Sequence, residues 1–182
     1  MKKLFTLLTG ILLSAAAYAQ VKPAAANKPL VAAVKATAKK MDDALVKKDL
    51  KTFVKTTYPK VVEQTEGGYD KLATDLENQI NSMEAQNNKI ISAWTGDPTN
   101  FIDTAGELQC TVPQYMKIQL VNGTLTTQTT LMGFSPDKGK TWYFIDATDK
   151  SLDAWRKVFP NISSLLTLKA PPEPKFVPKK GL

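Results

Sequence analysis

Residues 114–134 read QYMKIQLVNGTLTTQTTLMGF. Met116, Ile118 and Leu120 alternate with polar neighbours, the period of a half-buried strand. Asn122-Gly123 follows, the strongest short-range hairpin signal, because a two-residue turn must match the twist of its flanking strands. Thr124–Phe134 then returns, rich in the β-branched threonines that suit a pleated surface. The reading predicts an antiparallel hairpin with its tight turn at Asn122-Gly123 and positive φ at Gly123.

The same period extends outward on both sides. Upstream, Lys89–Thr95 and Phe101–Asp103 read as strands around a Gly96-Asp97-Pro98 turn. Within Glu107–Val112, Leu108, Cys110 and Val112 share a strand face, so the only cysteine of the chain is read as a small buried hydrophobe. Downstream, a further turn leads to a strand over Thr141–Asp146. Four or five strands in hairpin succession predict an antiparallel meander.

Before Lys89 the period is helical. Leu30, Val34, Thr37/Ala38, Met41 and Leu45 gather on one side, while Lys35, Lys39, Lys40, Asp43 and Lys47 lie opposite, predicting a helix to about Lys48. Asp49 is a cap for a second, short helix with Leu50, Phe53 and Val54 inward, ended or interrupted by Pro59. After the Gly67-Gly68 break, Tyr69, Leu72, Ala73, Leu76, Ile80 and Met83 form another inward stripe, closed by Asn87-Asn88. Beyond the sheet, Leu152, Trp155, Val158 and Phe159 predict one more short helix, stopped at Pro160. Helices followed by a meander that must bury one face make an α+β domain, with the helices packed on a curved antiparallel sheet.

The ends have a different character. Met1-Lys2-Lys3, the apolar run Leu4–Leu13 and Ala17-Tyr18-Ala19 stand in the order of a secretory signal cleaved before Gln20. The apolar run is shorter than the ~20 residues of a spanning helix. The expected organisation is a signal peptide over 1–19, a flexible leader over 20–29, one domain over 30–169, and an extended or disordered Pro/Lys-rich tail over 170–182. An exported protein, periplasmic or extracellular, is the expectation.

Composition removes several chemistries. The 182 residues contain no histidine, which eliminates a Ser-His-Asp triad, a Cys-His pair and any His-based metal site. No glycine-rich phosphate loop occurs, and Asp42 and Asp43 point about 100° apart on a helix, so they do not clamp a metal. Asp146, Asp149 and Asp153 lack calcium-loop spacing. Neither a metal nor a cofactor is expected. The net charge is +7, with ten lysines and three aspartates in residues 22–60. Arg156 is the sole arginine and aromatics are not interleaved with the lysines, so this is a solvated helix face and no nucleic-acid partner is expected.

The element order, with Tyr58-Pro59, Gly67-Gly68-Tyr69 and the segment from Leu131-Met132-Gly133-Phe134-Ser135 to Asp146, resembles exported bacterial proteins of the NTF2-like superfamily over about Leu30 to Thr148. That resemblance implies a curved sheet wrapping helices into a cone with an apolar pocket. It also implies either a non-catalytic binding module or a pocket enzyme using an aspartate base and a tyrosine donor, for which Asp103 with Tyr58 or Tyr115 are the candidates. Ser135-Pro136-Asp137-Lys138-Gly139-Lys140-Thr141-Trp142 matches the Asp-box pattern S-x-D-x-G-x-x-W, a turn device in secreted β proteins; a single copy argues against a propeller. In it Ser135 and Asp137 accept backbone N–H groups, Gly139 takes positive φ and Trp142 packs beneath the loop. The leading expectation is a non-catalytic exported module for a small apolar ligand, a glycan or a protein, with homodimerisation left open.

Overall fold

The computed structural model describes residues 27–99, 101–104 and 106–179. The proposed signal peptide and most of the leader lie outside them. The fold is α+β. Four helices, α1 (Lys28–Val46), α2 (Leu50–Val54), α3 (Pro59–Gln64) and α4 (Gly68–Ala85), precede the strands. These are β1 (Lys89–Thr95), β2 (Ile102–Thr104), β3 (Glu107–Leu120), β4 (Gly123–Ser135) and β5 (Tyr143–Asp146). Helix α5 (Leu152–Val158) and a last strand, β6 (Lys175–Pro178), complete the order.

The sheet is antiparallel and open. Its centre is the long β3–β4 hairpin, paired from Leu108↔Ser135 to Leu120↔Gly123. Two short strands share each outer edge. β1 pairs with Gln114–Gln119 and β2 with Glu107–Gln109 of β3, while β5 pairs with Leu131–Phe134 and β6 with Gly123–Thr126 of β4. A bulge between Ile90 and Ser92 shifts the β1 register and leaves Ile91 exposed.

Register gives each face its own core. On the first face Cys110, Val112 and Leu131 meet Val34, Ala38 and Met41 of α1, with Phe101, Trp142 and Phe144. On the second, Met132, Phe134 and Ile145 meet Tyr58, Phe159, Ile162 and Leu166, so the segment after α5 folds back across the sheet. Both faces are therefore covered over the Ser135 end of the hairpin.

Several expectations are corrected. Helix α1 begins at Lys28, inside the expected leader, because the fixed φ of Pro29 suits a first helical turn. Pro59 opens α3 for the same reason, and the preceding break is only Lys55–Tyr58. Tyr69 is exposed and only Ile80 of α4 is fully buried, since α4 packs as an outer layer on α2 and α3.

The hairpin turn falls on Val121-Asn122, one residue earlier than expected, and Gly123 does not have positive φ. Glycine is required there for a different reason. A Cβ at Gly123 would collide with the Val177 carbonyl and lie 2.8 Å from the Phe176 ring. The tail is thus not wholly free: Lys175–Pro178 is an edge strand, and the Lys179 amide donates to the Asn122 carbonyl at 2.9 Å.

Candidate functional site

A cleft of about 470 Å³ opens where α2, α3, β5 and α5 converge. Helix α2 gives Phe53, the loop after it Thr56 and Thr57, and α3 with its C-cap Val61, Gln64 and Thr65. Strand β5 gives Phe144, Ile145 and Asp146, and α5 gives Trp155, Val158 and Phe159, with Lys150 just before it. Met41, Gln114 and Leu131 extend the lining inward. The position of these elements follows from local chemistry. Asp49 accepts the Thr52 amide and caps α2, and Ser151 accepts the Ala154 amide and caps α5. The loop between α2 and α3 is tied to the sheet edge, because Tyr58 N donates to Phe144 O at 3.0 Å and Phe144 N to Thr56 O at 2.8 Å.

Most of the lining is aliphatic or aromatic. Trp155 stacks on Phe159 with ring centroids 6.2 Å apart, and Lys150 lies over the indole at 4.9 Å. The Trp155 indole N–H is buried with no acceptor among the described residues. At the inner side, Gln114 donates from Nε2 to Asp42 Oδ1 at 2.7 Å. Asp42 is 2% exposed, and its Oδ2 has no partner among the described residues. Thr129, opposite Gln114 in the register, and Thr127 also have buried hydroxyls without a partner among the described residues. Burial pushes the Asp42 carboxyl up to about 6, partly offset by the Gln114 hydrogen bond.

The Asp103 and Tyr58 or Tyr115 pairs do not form. Asp103 is exposed on β2, Tyr58 is buried in the second core, and Tyr115 lies beyond it on β3. Tyr58 Oη instead donates to the Glu107 carboxylate, at 3.0 and 3.1 Å to its two oxygens. Asn161 Nδ2 donates to Tyr58 Oη at 2.8 Å and to Glu107 Oε2 at 2.7 Å. The Tyr58 ring stacks on Phe134 at 4.1 Å, and burial holds its hydroxyl above the ordinary tyrosine range. Gln109, fully buried, continues this clasp: it donates to Asn161 O at 2.8 Å and accepts from Ser163 N at 2.8 Å. These bonds pin the segment after α5 to the sheet. Sequence reasoning missed Glu107, Gln109 and Asn161, because their partners are about 50 or more residues away and no local pattern marks them.

The Ser135–Trp142 turn lies at the far end of β4 from the β3–β4 turn. Asp137 Oδ1 accepts from Ser135 Oγ at 2.8 Å and from the amides of Lys140 and Thr141 at 3.1 and 2.8 Å. Ser135 Oγ accepts from Gly139 N at 2.7 Å. Gly139 has φ +96°, and a Cβ there would collide with Leu30. Trp142 is 1% exposed in the first core and donates from Nε1 to Gly139 O at 3.1 Å. The Thr141 amide foremost holds the Asp137 carboxyl down to about 2. The Ser135 hydroxyl and Asp137 Oδ1 are thus engaged within the turn, and no residue of the turn lines the cleft.

Cys110 is fully buried and burial raises its thiol well above the ordinary range. Among the described residues no cluster of three metal-ligating side chains occurs, and no helix is long and apolar enough to cross a membrane. No protein-family model matches the sequence, and comparison with curated proteins and with solved structures yields no match.

Proposed function

We propose that the protein is an exported, non-catalytic binding module of the NTF2-like type, and that its cleft between α2–α3, β5 and α5 takes a small apolar ligand. The observation that carries this reading is the lining: Phe53, Val61, Leu131, Phe144, Ile145, Trp155, Val158 and Phe159 converge on one space of about 470 Å³. That size and a mostly apolar wall with a few polar groups are what small-molecule sites share. Four helices before an antiparallel sheet support the family reading, and Met1–Ala19 supports export. In this account the Ser135–Trp142 turn is an Asp-box-type scaffold, fixing Trp142 under α1.

An enzyme needs an acid or base facing the substrate beside a polar donor. The Tyr58–Glu107 pair is spent on Asn161, which favours a structural role for it. A ligand that binds only the native state at a hundredfold excess over Kd stabilises it by about 2.7 kcal/mol. A neutral apolar dye such as Nile red should therefore raise the Tm of the mature protein. Val158→Glu, at a 46% exposed position on the cleft wall, should abolish that rise without lowering the ligand-free Tm. An equal rise in the variant would refute the site.

A further inference from the structure

The second face of the sheet is only half covered. Where the segment after α5 stops, a groove of about 470 Å³ runs between Tyr115 and Gln128 on one side and Leu165–Lys169 on the other. Tyr115 and Gln128 are direct cross-strand partners, so both side chains stand on this face. Tyr115 is backed by Trp94, its partner on β1. The rings stack at 5.3 Å and 11°, and Trp94 is 42% exposed. Offset stacking holds both rings in one orientation and leaves part of the Trp94 surface open.

Ile102, Pro113, Leu165 and Leu166 add apolar wall to the groove, and polar groups stand among them. Tyr115 Oη, the Gln128 amide and the Lys169 ammonium line or border it, and none has a hydrogen-bond partner among the described residues. The Asp97 carboxylate also borders it, bonded to Lys35 Nζ at 2.7 Å. A flat aromatic wall joined to uncommitted donors and acceptors of both kinds matches one ligand chemistry. A pyranose ring offers an apolar C–H face for the aromatic wall and equatorial hydroxyls that both donate and accept. A purely apolar ligand would leave the amide and ammonium unpaired, and burying them so is costly.

We propose that this groove is a second ligand site, distinct from the cleft, that binds a neutral saccharide with one sugar ring against Tyr115. Trp94 buttresses that ring, and Gln128 and Lys169 hydrogen-bond its hydroxyls. The site stands on different residues from the cleft, so the two readings fail separately.

Isothermal titration of the mature protein with cellotriose, maltotriose and the N-acetylglucosamine trimer tests it. At least one should bind saturably, and Tyr115→Ala should weaken that binding tenfold or more. Gln128→Ala should weaken it severalfold with an unchanged Tm, which separates lost contacts from lost folding. Val158→Glu, in the lining of the cleft and not of the groove, should bind the sugar as the unsubstituted protein does. No binding of any of the three sugars, or binding indifferent to both Tyr115→Ala and Gln128→Ala, overturns the proposal. So does binding of a proline-rich peptide by the same residues with no sugar bound.

Discussion

Gln114 of β3 and Asp42 of α1 meet across the first core at 2.7 Å, and among the described residues this is the one hydrogen bond that the buried carboxylate receives. The pair joins the principal helix to the central hairpin at the inner side of the cleft. A carboxyl held at about 6 in the native state and near 4 in the unfolded chain binds its proton more tightly when folded. Stability contributed by this group is therefore fully present below pH 4 and is lost as pH rises through 6. Asp42→Asn should flatten that part of the pH–stability curve and stabilise the protein near pH 7 by about 1–3 kcal/mol. Urea denaturation from pH 4 to 8 checks it; a parallel curve for the variant would show that the carboxyl is not a source of the slope.

Gly123 sits under β6, not in the hairpin turn. Gly123→Val should therefore expel Lys175–Pro178 from the edge of β4 and leave the hairpin paired. The expected cost is about 1–2 kcal/mol, as for loss of a peripheral element. Hydrogen exchange reads it directly: the Lys179 amide should lose its protection while amides of the central hairpin keep theirs. Unchanged protection at Lys179 would contradict the collision.

Asp137 and Trp142 support the same turn in different ways. Asp137→Ala removes three hydrogen bonds at a half-buried position and should cost about 1–2 kcal/mol. Trp142→Ala empties a site in the first core and should cost about 3–5 kcal/mol. Because the Asp137 carboxyl is held down to about 2, its contribution is present above the unfolded value near 4 and is lost as pH falls toward 2. Acid unfolding of Asp137→Ala should thus lack that component. Neither variant should change dye binding at the cleft while it remains folded.

The central hairpin was legible because its signal is local: alternation at Met116, Ile118 and Leu120, a turn pair, then threonines. The same holds for α1 and for Asp49 as a cap, whose side chain needs only Thr52, three residues on. What could not be read depends on distant partners. Asp42 lies at the margin of the apolar stripe, and its burial follows from Gln114, 72 residues away. Strand β6 is four residues that follow Pro174 and end on Pro178, with no periodicity to mark it, and exists because the β4 edge is open there. Gly123 was legible as a required glycine, but the requirement comes from the approach of that strand. The cleft was not legible as a site: the period marked inward residues of α2 and α5, but their meeting with α3 and β5 around one space depends on long-range packing.

Binding of a neutral apolar probe at that cleft is the claim on which the account rests. Nile red fluorescence titrated into the protein should rise saturably with one site per chain and a Kd in the micromolar range, about −8 kcal/mol. Val158→Glu should weaken it at least tenfold with no loss of Tm, and Trp94→Ala, which is not part of the cleft lining, should leave it unchanged. Unsaturable dye uptake, or saturable binding that Val158→Glu leaves intact, would contradict the assignment of the cleft as the binding site.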